Sequence, residues 1–319
     1  MSRAVIAVDV GGSTIKGAIV GRPELTAAAM PGGPALASTA VRAELRRPVP
    51  VSAGPQAAIA AVRDVVCELC DLAAQHGGTA AAALALPGIV DETAGVAVHS
   101  ENVGWRDVPF RRLLAEWTRL PTVIGHDVRA GGLAESRIGA ARGFSDVAFV
   151  PIGTGIAAAL TIGGRVHSGG GLAGEIGHVD VGHDGLCACG KRGCLEAIAS
   201  AAAIARRYAQ ERGENVGEAA EVAARMAAGD PVAERVWQEA IDALGLATAW
   251  LASVLAPEAI IIGGGLSQAG PALFDPLRQA MEQRLSFQRR PRLAPAALGD
   301  RAGFLGAALL AEAMFDRAS

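Results

Sequence analysis

Three of the chain's five cysteines fall in one short stretch, Gly171–Glu196, which reads GLAGEIGHVDVGHDGLCACGKRGCLE. The spacing His178-x8-Cys187-x-Cys189-x4-Cys194 gathers one imidazole and three thiols. That is a full tetrahedral set for Zn²⁺ with no open position, so the ion would be structural. Clustered thiols beside a histidine, in a chain with no mark of export, favour metal over disulfides. His183 lies nearer the cysteines and is a rival fourth ligand on spacing alone. Glu175 and Glu196 bracket the cluster, and carboxylates are good partners for hydroxyls. A metal knot with a carboxylate at each end suits a ligand rich in OH groups.

A second kind of chemistry is written at residues 9–16, DVGGSTIK. Gly11 and Gly12 expose backbone N–H groups, and Ser13, Thr14 and Lys16 add donors, a set suited to phosphates. Asp9 could position a hydrated Mg²⁺. The GxxxxGK[ST] pattern of a P-loop is absent. A similar Gly/Thr turn recurs at Gly153, Thr154 and Gly155. Gly263, Gly264 and Gly265 follow a strand-like run, where the backbone can approach a flat ligand closely. Asp127 stands where a short strand gives way to a helix, a usual place for a catalytic carboxylate in α/β chains. Helix capping would also account for it. Asn102 can both donate to and accept from a sugar hydroxyl. Trp105 fits either a pocket wall or the core.

The elements that must carry these residues follow from periodicity. Apolar runs at Ala4–Val10, Ile15–Val20, Ala80–Leu86, Pro121–Gly125, Val147–Ile152, Ala259–Ile262 and Arg292–Leu298 read as strands, with another near Ala37–Leu45. Helical patterns cover Gln56–His76, Phe110–Leu120, Val128–Ile138, Ala201–Gln210, Glu218–Ala228, Val232–Val254, Leu273–Leu285 and Ala302–Phe315. A Pro/Gly/Ala loop spans Pro23–Pro34, and residues 87–100 read as turns. Cys67 and Cys70 form a C-x-x-C inside a helix, which favours a helix face over a redox or metal site.

At 319 residues the chain has room for two domains. Apolar residues make up 51% and charged residues 19%, a globular balance. A net charge of −3 implies no nucleic-acid or membrane partner. With aromatics at 4%, stacking platforms for single strands are not expected. No signal peptide or membrane span is apparent, so a soluble cytoplasmic protein is expected.

Taken together these motifs resemble the ROK family of repressors, open reading frames and kinases, over nearly the whole chain. DVGGSTIK (9–16) is similar to its first phosphate motif, GTGI (153–156) to its second and IIIGGG (260–265) to its adenosine motif. GEIGH (174–178) and CACGKRGCLE (187–196) are similar to its zinc signature, which favours His178 over His183. The resemblance implies an α/β protein with the actin-like ATPase (ribonuclease H-like) fold, two lobes around a cleft. The first lobe would span residues 1–121 and recover the C-terminal helix 303–319; the second would span 122–302. It implies ATP, Mg²⁺, structural Zn²⁺, a hexose phosphorylated on its 6-hydroxyl, and a homodimer or higher homo-oligomer. Asp127 becomes the base, and Gly88, Asn102, His126, Glu175, His178 and Glu196 become sugar contacts. His178 would serve both metal and sugar.

Two places depart from the family's pattern. His126-Asp127-Val128-Arg129 stands where Asn-Asp-x-Asn is usual, so His126 is expected to face the sugar in place of Asn. Arg129 is expected to point away, to a carboxylate other than Asp127 or to solvent. Ala157, Ala158 and Ala159 replace the glycines that usually continue the second phosphate motif. The leading expectation is an ATP-dependent glucokinase. An N-acetylhexosamine kinase, a polyphosphate-dependent kinase and a non-catalytic sugar sensor are its rivals. With eight residues before Asp9, no helix-turn-helix is expected in front of the first motif.

Overall fold

The computed structural model describes residues 4–21, 41–75 and 77–316. In chain order the elements are β1 (Val5–Val10), β2 (Thr14–Val20), β3 (Val41–Pro48), α1 (Pro55–Gln75), β4 (Ala81–Leu86), β5 (Ile89–Asp91), β6 (Val96–His99), β7 (Arg106–Val108), α2 (Phe110–Thr118), β8 (Thr122–His126) and α3 (Asp127–Ile138). There follow β9 (Val147–Pro151), β10 (Ala159–Ile162), β11 (Arg165–His167), α4 (Leu195–Ala199), α5 (Ala201–Arg212), α6 (Ala219–Ala227), α7 (Pro231–Leu255), β12 (Ala259–Gly263), α8 (Pro271–Glu282), β13 (Arg292–Pro295) and α9 (Ala302–Asp316). The expected loop at Pro23–Pro34, the start of the expected third strand, His76 and residues 317–319 lie outside the described residues. Among the described residues no helix is long and apolar enough to cross a membrane.

The chain forms two compact units. The first holds residues 1–143, 166–173 and 297–319; the second holds 144–165 and 174–296. The division falls at Gly143, later than residue 121. β8 pairs with β4, and α3 packs on α9, so both belong to the first unit.

In the first unit a five-stranded sheet runs β3-β2-β1-β4-β8. β1, β2 and β3 are antiparallel neighbours, while β1–β4 and β4–β8 are parallel. Side chains alternate across β1. Ile6, Val8 and Val10 join the apolar layer of α1 and α2, whereas Val5 and Ala7 join that of α3 and α9. A strand buried on both faces needs a near-continuous apolar run, which is why VIAVDV is apolar at every position but Asp9. Alternation also puts Asp9 on the α3/α9 face. Alanines Ala81, Ala83 and Ala85 of β4 share that face, and their small size lets α9 lie close. α9 crosses α3 with Gly306 against the Ala130 carbonyl, where any Cβ would overlap backbone.

The turn-rich stretch after β4 contains a small antiparallel sheet, β5-β6-β7, that periodicity did not reveal. Its strands are only three or four residues long, too short to show a period of two. Trp105 is core rather than pocket wall: it is fully buried and meets Phe110 edge-on at 4.9 Å.

A second five-stranded sheet repeats the same strand plan, β11-β10-β9-β12-β13, with β9–β10 antiparallel and β9–β12 and β12–β13 parallel; β10, β9, β12 and β13 lie in the second unit, whose segment ends at Arg165 within β11. Its core is built on α7, which packs against α4, α5, α6 and α8. Asp230 caps α7 by accepting from Val232 and Ala233 N–H, and Pro231 occupies its first turn.

Candidate functional site

In the first unit the parallel strands end where chemistry was expected. β8 ends at His126 and α3 begins at Asp127. Asp127 is not the cap of α3: that position belongs to His126, whose Nδ1 accepts from the Arg129 N–H at 3.3 Å. The Asp127 carboxylate accepts from Val128 N–H at 2.7 Å. Burial, reinforced by the negative charge of Asp9, pushes its pKa from 3.8 up to about 8. Asp9 itself, at the end of β1, is raised to about 6 by burial, against the pull of Lys16, whose Nζ lies 3.8 Å away. Two carboxylates whose ionised forms are strained, with one lysine to serve them, make a site that would welcome a cation or a proton. Gly303 of α9 stands against Asp9, where a Cβ would overlap the carboxylate.

The first phosphate turn is a tight hairpin in which Gly11 N–H donates to the Thr14 carbonyl at 2.9 Å. Ser13 is exposed, and Gly12 faces the Asn102 side chain. Thus Asp9, Gly11, Gly12, Ser13, Thr14, Lys16, Asn102, His126 and Asp127 all lie in the first unit. Gly88 lies there too, in the turn between β4 and β5.

His126 does not have the environment expected of a sugar contact. It is 7% exposed and both ring nitrogens are engaged. Nδ1 takes the Arg129 N–H, and Nε2 lies 3.4 Å from Asp127 Oδ1. Burial and the Arg129 guanidinium lower its pKa to about 3, so the ring is neutral. Arg129 is not in solvent either. It is 4% exposed, and its Nε donates to Glu92 Oε1 at 3.0 Å and Nη1 to the Gly171 carbonyl at 3.3 Å. Glu92 also accepts from the His126 N–H. No spacing in the sequence marked Glu92, which comes from a loop far from the motif it supports.

In the second unit the sequence-predicted metal ligands come together. One ligand atom from each of His178, Cys187, Cys189 and Cys194 lies within 4.8 Å of all the others. Cys187 Sγ is 3.8 Å from His178 Nδ1, and Cys189 Sγ is 3.6 Å from Cys194 Sγ. Tetrahedral zinc bonds of about 2.3 Å to sulfur require ligand separations of about 3.8 Å, so the donor set fits Zn²⁺. Backbone pairing makes the frame: Leu195 N–H meets the Val179 carbonyl, and Val181 N–H meets that of Gly193. Burial and its two neighbouring thiols push Cys194 up to about 12, a penalty that a bound cation removes. His183 is occupied elsewhere: Nδ1 accepts from Gly185 N–H and Nε2 meets the Cys194 carbonyl at 2.9 Å.

Glu196 lies in the first turn of α4, and its Oε2 accepts from Ile156 N–H at 2.9 Å. It therefore ties the zinc loop to the turn Gly153-Thr154-Gly155. Glu175 is exposed at the start of the single 3₁₀ turn that carries His178. β12 runs into Gly264, whose φ of +74° and contact with the Ile152 carbonyl leave no room for a side chain; Gly265 follows, exposed. Cys67 and Cys70 lie on α1 and are not members of this ligand group.

Two units with one strand plan and glycine turns at their strand ends define the class: the chain has the actin-like ATPase fold, as do the structures it resembles. It belongs to the ROK family, whose model matches residues 32–314. A glucokinase of Halalkalibacterium halodurans is 36% identical over 245 residues, 70% of this chain and 73% of that protein. An N-acetylmannosamine kinase of Escherichia coli is 30% identical over 314 residues, 96% of this chain and 98% of that protein. The crystal structure of a ROK family glucokinase from Streptomyces griseus in complex with glucose and AMPPNP matches with a TM-score of 0.78. That match has 28% identity and covers 97% of this chain and 99% of that one.

Proposed function

We propose that the chain is an ATP-dependent hexose kinase that phosphorylates the 6-hydroxyl, with glucose as its preferred substrate. The observation that carries this reading is the Asp127 carboxylate, set at the end of β8 and raised to about 8. An alcohol proton needs an acceptor only as the oxygen attacks, and a base poised near neutrality serves that moment. The 6-hydroxyl proton passes to Asp127, the oxygen bonds to the γ-phosphorus, and ADP leaves with the bond it breaks. The rest of the work is positioning and charge neutralisation.

Asp9, Lys16 and the Gly11–Thr14 turn would serve the phosphates, with Asp9 holding Mg²⁺ through water; when bound, Mg²⁺ would neutralise phosphate charge. The Gly153–Gly155 turn and Gly264–Gly265 would serve the nucleotide, and Glu175, His178 and Glu196 the sugar. Zn²⁺ on His178, Cys187, Cys189 and Cys194 would be structural, fixing the imidazole's tautomer and orientation so that Nε2–H is free for a hydroxyl. A homodimer belongs to the same reading and is measured by light scattering on a sizing column.

Glucose is favoured by the more similar relative, a glucokinase at 36% identity. N-acetylmannosamine is the second reading, supported by a kinase for it that matches 96% of the chain. An ADP-release assay across glucose, mannose, N-acetylglucosamine and N-acetylmannosamine tests both. The expected result is the highest kcat/KM with glucose. A preference for N-acetylmannosamine replaces the first reading with the second, and no turnover with any sugar rejects both.

A further inference from the structure

We infer that His126 is a positioning residue for the base: its Nε2–H holds the Asp127 carboxylate while the Arg129 backbone N–H pins its Nδ1. The inference rests on Asp127 being the base, as proposed above. A neutral imidazole has one donor and one acceptor nitrogen. Nδ1 receives a backbone N–H, so it is the acceptor, and Nε2 must carry the proton. Nε2 lies 3.4 Å from Asp127 Oδ1, a partner within reach of its proton. Burial and the Arg129 guanidinium keep the ring uncharged, so the tautomer does not change in the working range of pH.

The contacts on Asp127 are unevenly placed. Val128 N–H and His126 Nε2 both address Oδ1. Oδ2 is then the oxygen that takes the substrate proton, and the carboxylate plane is fixed from two directions. The ring is itself held from behind. Glu92 accepts from the His126 backbone N–H and from Arg129 Nε, and Arg129 continues to the Gly171 carbonyl. The chain Glu92–Arg129–His126–Asp127 is thus a support for one oxygen of one carboxylate, and it explains why His126 is buried.

Two substitutions separate this role from capping. Asparagine places its amide oxygen near the position of Nδ1, so His126→Asn keeps the cap of α3 but cannot reach Asp127 with a donor. Glutamine places its amide nitrogen near the position of Nε2, so His126→Gln keeps the donor and gives up the cap. The expected result for His126→Asn is a wild-type Tm and a kcat lower by roughly 10- to 100-fold, with KM for sugar and ATP within about twofold. His126→Gln should melt earlier yet recover most of kcat. Full kcat in the Asn variant would overturn the inference. So would an effect confined to sugar KM, which would put the ring on the substrate, or equal loss of kcat in both variants. Asp127→Asn in the same assay separates the two readings. If it keeps turnover, the assignment of the base is wrong; if it is inactive while His126→Asn is unimpaired, only the role of His126 is wrong.

Discussion

The two sheets have one strand plan and opposite equipment. In each, an antiparallel pair leads into two parallel strands, and the turns after the first and fourth strands of that plan carry glycine. In the first unit the strand ends also carry acids, Asp9 as the penultimate residue of β1 and Asp127 directly after β8. In the second the matching ends carry none: β9 ends in Pro151 before Gly153, β12 in Gly263, and β13 in Pro295. The second unit's acids, Glu175 and Glu196, sit instead on a loop built around a metal-ligand set. On the function proposed above, one strand plan would support two kinds of recognition. Burying a carboxylate at a strand end raises its pKa and makes it reactive. Leaving glycine there exposes backbone N–H groups, which bind phosphate without titrating.

The largest expected effect breaks the first half of that contrast. Asp127→Asn should lower kcat by about 10²–10⁴-fold while ATP and sugar still bind, measured by turnover and by calorimetric titration. The same variant should be more stable than wild type at pH 8. The folded pKa of Asp127 stands at about 8 against 3.8 for the ordinary group, so the folded state holds this proton more tightly than the unfolded chain does. Its contribution to stability is present below about pH 4 and is lost as pH rises toward 8. Asparagine is exempt from that loss. Melting curves of the two proteins should coincide near pH 4 and separate by a few degrees at pH 8.

Next in size is the pH dependence of the wild-type enzyme. kcat/KM should rise about tenfold per pH unit on the acid side and level off near pH 8, because the base must be ionised to accept a proton. A profile already flat at pH 6 would contradict the raised Asp127.

The second half of the contrast is tested by zinc. Purified protein should carry close to one equivalent, and Cys189→Ser should release it and raise sugar KM by roughly 10-fold, on the scale of lost support around a metal site. Cys67→Ser should retain the metal. Elemental analysis reads the first result and sugar kinetics the second. The smallest effect is expected at Gly264→Ala, where a Cβ at φ +74° forces the turn away from Ile152. ATP KM should rise several-fold with kcat little changed, the reverse of the Asp127 pattern, as the strain is worth about 1–3 kcal/mol.

Most elements were legible because their patterns are long. The buried strands β1, β4 and β12 and the helices α1, α7 and α9 appear within one or two residues of the expected bounds among the described residues. The metal-ligand set was legible because its spacing is local. What sequence did not show depends on distant partners. Nothing in the spacing tells that Glu92 reaches Arg129, or that His126 turns toward its own neighbour rather than outward. The resemblance already favoured His178 over His183, and the fold adds the reason, since both nitrogens of His183 are engaged elsewhere. The first unit runs on to Gly143 because helices α3 and α9, far apart in sequence, bury each other's small faces.

That last packing has a consequence for how the molecule is made. The first unit is assembled from three separate pieces of chain, and residues 297–319 emerge from the ribosome after all of the second unit. α9 supplies Gly303 beneath Asp9 and Gly306 against the helix that Asp127 begins. Domains tend to fold as their chain appears. Here the second unit can complete its core during synthesis, whereas the sheet bearing both acids waits for its closing helix. Asp9 therefore meets Gly303 only after the second unit has been synthesised.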